Sequence, residues 1–284
     1  MHIRYGFNIE IEVPNPTTVI TAFDVHPERR AEIVEERPLY VTPPSEVETY
    51  RDDFGNLCRR IQAIPGPVTF RTEGIVSDSG NTDTVAPSAE ALPVADLPPE
   101  TLQFLSGSRY CETDLLGDVA WQNFGHIQGG WAKVQAICDF VHNRIAFGYQ
   151  NARATRTAFQ AYQERVGVCR DFAHLAVALC RCLNIPARYC NGYLGDIGVP
   201  PDPAAIDFNA WFEVYLNTGF PDGGRQTGRW YTFDARHNVP RIGRIVIARG
   251  RDATDIPMFN TFGPHILRRF TVITDQVLID QRAA

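Results

Sequence analysis

Residues 167–186 constrain the chain more than any other stretch. From Cys169 onward Phe172, Ala173, Leu175, Ala176, Leu179, Cys180 and Leu183 recur at spacings of one to four, and Pro186 closes the run. That pattern predicts a buried helix of about four turns with Cys169 in its first turn. Unpaired backbone N–H groups and the positive end of the helix dipole lie there, and both favour a thiolate. Cys169 is therefore the candidate nucleophile, with the backbone N–H at the helix start as a candidate oxyanion donor.

Two later segments read as a strand pair, 210–216 and 228–234, joined by a glycine-rich loop, 217–227. Pairing 216 with 227 sets Asn209 opposite Asp234. An amide cannot take a proton from a thiol at neutral pH, so a base must come from elsewhere. His237 follows Asp234 by three residues, and a chain curling back presents its ring near Asn209 and Cys169. His174 is turned about 140° from Cys169 along the helix and points away. Two alternatives stay open: a site that has lost its base and only binds, or a base not visible in the sequence. Tyr193, Trp211 and Trp230 are expected as core or as walls of a substrate groove. The loop 195–203 stands just before the strand of Asn209 and is a second candidate for lining it.

Gly167-Val168-Cys169-Arg170-Asp171-Phe172-Ala173, Ile185-Pro186-Ala187-Arg188-Tyr189 with Gly192-Tyr193, and Ala210-Trp211-Phe212-Glu213-Val214-Tyr215-Leu216 followed by Arg229-Trp230-Tyr231-Thr232-Phe233-Asp234 occur in this order. Together they resemble the core of the transglutaminase-like superfamily in its bacterial branch, over about residues 130 to 240. Cys169 and Asp234 fall on that family's Cys and Asp, and Asn209 falls on its His. The resemblance implies an α+β, papain-like core, in which a helix-borne Cys packs on an antiparallel sheet. It also implies a thiol hydrolase or acyl transferase acting on a peptide or amide carbonyl through an acyl-thioester. A cysteine protease or amidase is the expected form, and a catalytically weakened binding or scaffold protein the alternative. No metal or cofactor is implied. Peptide N-glycanases share the core but carry paired C-x-x-C ligands, which this sequence lacks.

The remaining features bound the answer. In 284 residues, 44% of them hydrophobic, there is material for two domains. A formal charge of -6 with interspersed signs leaves no basic stripe for nucleic acid. No apolar run approaches a membrane span, and the first residues lack a signal-peptide pattern, so a cytoplasmic protein is expected. The odd count of seven cysteines argues against a disulfide framework. Cys180 and Cys182, about 200° apart on a helix, cannot share a metal. Six of the seven read as structural. The first domain, 1–99, is expected to be antiparallel β, led by the alternation of Ile3, Tyr5, Phe7, Ile9, Ile11 and Val13. It ends in a proline-rich connector, 87–99, and residues 100–284 form the core with C-terminal strands. His142 beside a helix, 131–145, is expected to be structural. Arg241, Arg244, Arg249 and Arg251 are expected to be solvated or paired with carboxylates. Sequence alone does not set the oligomeric state.

Overall fold

The alternation in the first strand is realised as β1 (His2–Val13), whose odd positions from Ile3 to Val13 are at most 2% exposed. The computed structural model describes residues 1–202, 206–217 and 228–277. After β1 come β2 (Thr17–Thr21), β3 (Ile33–Thr42), β4 (Val47–Arg51), β5 (Leu57–Ala63) and β6 (Gly66–Ser77). These strands form two sheets whose inner faces share one apolar cluster, including Phe7, Val19, Ile61 and Phe70, so the β domain is a sandwich.

The second unit contains α1 (Pro99–Leu102), α2 (Thr113–Phe124), α3 (Gly130–Arg144), β7 (Ala146–Phe147), α4 (Ala158–Glu164), β8 (Val166–Gly167) and α5 (Cys169–Cys182). A capping box starts α4: the Thr157 side chain accepts the Gln160 N–H and the Gln160 side chain accepts the Thr157 N–H. Then follow β9 (Ala187–Tyr193), β10 (Asn209–Asn217), β11 (Gly228–Phe233) and β12 (Ile245–Gly250), an antiparallel sheet in the order β11-β10-β9-β12. Helix α5 is buried from Asp171 to Arg181. Phe172, Leu175 and Leu179 share a cluster with Phe212, Val214 and Leu216 of β10 and with Val134, Ile137 and Val141 of α3. Full burial of such side chains contributes roughly 1.5–3 kcal/mol each. The fold is α+β with an N-terminal β domain.

The last strands depart from the expected division. β13 (Phe259–Thr261) pairs with β2, and β14 (Ile266–Val277) pairs antiparallel with β1 from His2↔Val277 to Glu12↔Ile266. The C-terminal strands, expected with the core, thus complete the N-terminal sandwich. β1 offers a second edge beyond β6, and β14 satisfies its backbone groups. The connector 87–99 forms no ladder, but it is docked. Ala89, Leu92 and Leu97 are buried, and the carbonyls of Ala89 and Glu90 accept from Trp131 N–H and Asn217 N–H. The sandwich cluster also takes in Ala173, Tyr189, Tyr193, Phe208 and Ala210, so the sandwich packs against the face carrying the start of α5.

Candidate active site

The short parallel pair β7–β8 delivers the chain to the start of α5. Asp171, fully buried at the third helical position, accepts the N–H of Val168 at 2.9 Å and ties the turn to the helix. Arg156 holds that carboxylate at 3.0 Å and is itself fixed by the Asn151 carbonyl and Glu164. A Cβ at residue 167 would stand 2.7 Å from an Asp171 carboxylate oxygen, which is why glycine precedes the turn. Gly-Val-Cys-Arg-Asp is thus a mechanical unit that fixes Cys169 at the first helical position.

The Cys169 side chain is partly buried where β10 begins. Its thiol points to the Phe208 carbonyl at 4.0 Å and receives the Ala210 N–H. Burial pushes the thiol up to about 11, against the pull of Arg236 and of the Ala210 N–H. Against the expected thiolate, burial favours the protonated thiol in the resting site. Cys169 opens into a groove of about 770 Å³, walled by Phe23, Tyr110, Phe208, Met258, Phe259 and Phe270. The β domain and the C-terminal strands supply much of that wall.

Asp234 follows β11, and its carboxylate organises the next turn. One oxygen accepts the N–H groups of Arg236 and His237 at 2.9 and 3.0 Å. The other bonds His237 Nδ1 at 2.8 Å and Arg244 Nη2 at 2.9 Å. Arg244 and His237 hold the carboxyl well below the usual carboxylate range, outweighing the upward push of burial. Asp234 and His237 therefore form an oriented pair. Among the described residues no imidazole hydrogen-bonds the Cys169 sulfur. His237 instead lines a neighbouring cleft with Tyr149, Asp207, Asn209 and Arg236, and Asp207 borders both the cleft and the groove.

The register expected for the hairpin is shifted by two residues. Leu216 pairs with Arg229 and Asn217 with Gly228, and the same register continued sets Asn209 level with Arg236 rather than Asp234. Arg236 Nη1 accordingly donates to Asn209 Oδ1 at 3.0 Å. A slip of two preserves every side chain's face, so alternation could not detect it. Of the expected connecting loop, 217–227, Asn217 belongs to β10 and residues 218–227 lie outside the described residues.

Tyr193, Trp211 and Trp230 are corrected as groove walls. Tyr193 is fully buried between Tyr5 and Phe208, with ring centroids 5.2 Å away in each case. Trp211 and Trp230 sit on the sheet face opposite α5 and line a separate polar cavity of about 250 Å³ with Arg244. Even positions of β10 face the helix, so Trp211 faces away from it. Within the loop 195–203, Asp196 and Asp202 line the His237 cleft rather than the Cys169 groove, and Pro203 is outside the described residues. His174 is buried, stacks on Tyr110 at 5.1 Å and accepts the Ala253 N–H; burial lowers it to about 3. His142 Nδ1 contacts the Arg236 carbonyl at 2.8 Å. The four clustered arginines pair with carboxylates: Arg241 with Asp196, Arg244 with Asp83 and Asp234, Arg249 with Glu213 and Glu28, Arg251 with Asp255.

Sequence reasoning passed over Arg156, Asp207 and Arg236. Arg236 was the most accessible of these, since it lies between two residues already singled out. Arg156 and Asp207 carry no local signal, because their roles come from tertiary placement. All seven cysteines are free. Among the described residues no cluster of three His, Cys, Asp or Glu side chains could hold a metal ion, and no helix is long and apolar enough to cross a membrane.

Comparison with known proteins agrees with the geometry. The sequence pattern of the transglutaminase-like superfamily matches residues 123–235. A solved structure from Cytophaga hutchinsonii, described as a candidate cysteine protease, is 32% identical; the match covers 99% of this chain and 92% of that one, with a TM-score of 0.81. An uncharacterized protein of Mycobacterium leprae is 31% identical over 97 residues, and one of Mycobacterium tuberculosis strain H37Rv is 35% identical over 99. These matches cover about a third of this chain and 29% of the length of each curated relative. With a helix-borne cysteine, the family's strand order and a relative aligned over nearly its whole length, the chain belongs to the transglutaminase-like superfamily.

Proposed function

We propose that the protein is a thiol-dependent peptidase or amidase with Cys169 as nucleophile, His237 as base and Asp234 as the group that orients His237. One observation carries this reading: Cys169 opens a predominantly apolar groove at a helix start, while an Asp234–His237 pair with a 2.8 Å bond stands in the adjoining cleft. Burial favours the protonated thiol, so in this reading the proton leaves sulfur as attack proceeds. The sulfur forms the C–S bond, the carbonyl electron pair moves to oxygen, and the thiol proton passes to His237, directly or through one water. Collapse expels the amine, which takes the proton from the imidazolium. Water then hydrolyses the thioester.

The aromatic wall of the groove supports a peptide or amide substrate whose acyl side carries a bulky apolar group. Free cysteines throughout support a reducing, cytoplasmic setting. A second reading, a binding or scaffold protein, is favoured by the absence of an imidazole bond to the thiol among the described residues. Turnover of a panel of N-acylated phenylalanine and leucine amides and short peptides separates the two. The enzyme reading expects hydrolysis by the wild type and none above background by Cys169→Ala. Hydrolysis that survives Cys169→Ala would overturn it.

A further inference from the structure

The residue at the family's histidine position has a partner of its own. Asn209 sits between Phe208, whose carbonyl faces the Cys169 sulfur, and Ala210, whose N–H is donated to it. Asn209 gives its amide hydrogens to the carbonyls of Leu194 and Asp207, which fixes its Oδ1 as the acceptor for Arg236 Nη1 at 3.0 Å. The guanidinium also lies 3.8 Å from the Phe147 ring centroid. Its backbone is held on both sides, the N–H by Asp234 and the carbonyl by His142. The guanidinium is thus held by two contacts, Asn209 and Phe147, and the backbone that carries it by two more, within reach for its charge to pull the Cys169 thiol toward the thiolate.

We propose that Arg236, positioned by Asn209, is the cation that stabilises the Cys169 thiolate as it forms, so that Asn209 is a positioning residue rather than the trace of a lost base. The inference rests on Cys169 being the nucleophile. It divides two tasks that one imidazole commonly performs: His237 accepts the proton, and Arg236 supplies a fixed positive charge. The other groups around the sulfur are less suited to supply that charge. Asp207 and Asp234 are anionic and oppose the thiolate, while Tyr149 and Tyr189 are neutral phenols. Arg170 also lines the groove, but its guanidinium faces the buried Asp171 carboxylate at 3.9 Å and donates to the Arg153 carbonyl; Arg153 is paired with Glu164, and His265 bonds Thr261.

The test is the pH dependence of Cys169 alkylation by iodoacetamide in the full-length protein, followed by peptide mass spectrometry, with unfolding midpoints measured in parallel. In the wild type the rate should climb about tenfold per pH unit toward pH 11. Arg236→Gln should lower the rate at pH 9 by about tenfold or more, Arg236→Lys should recover most of it, and Asn209→Ala should fall between them. A merely structural role would move unfolding midpoints without this charge-dependent rescue. A wild-type alkylation profile in Arg236→Gln overturns the inference, as does a Lys variant as slow as Gln. Should Arg236→Gln fail to fold, a wild-type profile in Asn209→Ala overturns it. These failures are distinct from failure of the thiol mechanism, which shows as turnover surviving Cys169→Ala.

Discussion

Replacing His237 with alanine is expected to lower amide turnover by on the order of 10²–10⁴, seen in kcat as well as kcat/KM, while Cys169 stays in place. The ring is oriented through Nδ1 by Asp234, whose other oxygen caps the turn by accepting the N–H groups of Arg236 and His237. The variant removes the proton acceptor but leaves that backbone turn intact. Asn209→His should not restore the loss. Position 209 is in contact with Arg236, and Asp234 is already engaged by His237 and Arg244, so an imidazole there would displace the Arg236 contact without gaining Asp234 as a partner. Steady-state assays of both variants decide the matter. Wild-type turnover in His237→Ala would remove His237 from the mechanism, and full rescue by Asn209→His in the double variant would show that position 209 can present a working base to Cys169.

Asp234→Ala is expected to cost about 3–5 kcal/mol of stability, because it strips a buried carboxylate from Arg244 and leaves Asp83 as that guanidinium's carboxylate partner among the described residues. For a chain of this size the unfolding midpoint should fall by roughly 6–20 °C. The pH dependence has a defined sign. The folded carboxyl is held far below its unfolded value near 3.9, so its contribution is present above about pH 4 and is lost as pH falls below that. Acid unfolding of the wild type should therefore steepen below pH 4, and Asp234→Asn should flatten that limb. A variant as stable as wild type at pH 7, with an unchanged acid limb, would show that the Arg244–Asp234 pair contributes nothing net.

Elements whose pattern follows a single period were legible from the sequence, and pairings between distant segments were not. The alternation of β1 and the apolar run of α5 each report burial locally, and both elements stand where the pattern put them. β3 escaped notice because it is an exposed edge strand rich in charge, with Val41 its one buried residue. β14 hid its partnership with β1 because Ile266, Leu267 and Phe270 are exposed, so no clean alternation marked its face. At the site, Cys169, Asp234, His237 and Asn209 could be named from motif and spacing. The spatial sorting of Tyr193, Trp211 and Trp230 away from the groove depended on which sheet face meets α5. Thiol charge is a similar case: the favourable helix start is visible in sequence, whereas the desolvation that opposes the thiolate comes from the sandwich packing beside the groove.

The most direct measurement of the central claim is a rapid-mixing experiment with a p-nitrophenyl ester of N-acylated phenylalanine, quenched in acid and mapped by mass spectrometry. An activated ester acylates faster than the thioester hydrolyses, so the intermediate accumulates. The expected result is a burst of p-nitrophenol close to one equivalent of enzyme, with the acyl mass on the peptide containing Cys169 and both absent in Cys169→Ala. A burst with the acyl group on another residue, or the same burst in Cys169→Ala, would contradict a mechanism through this thiol.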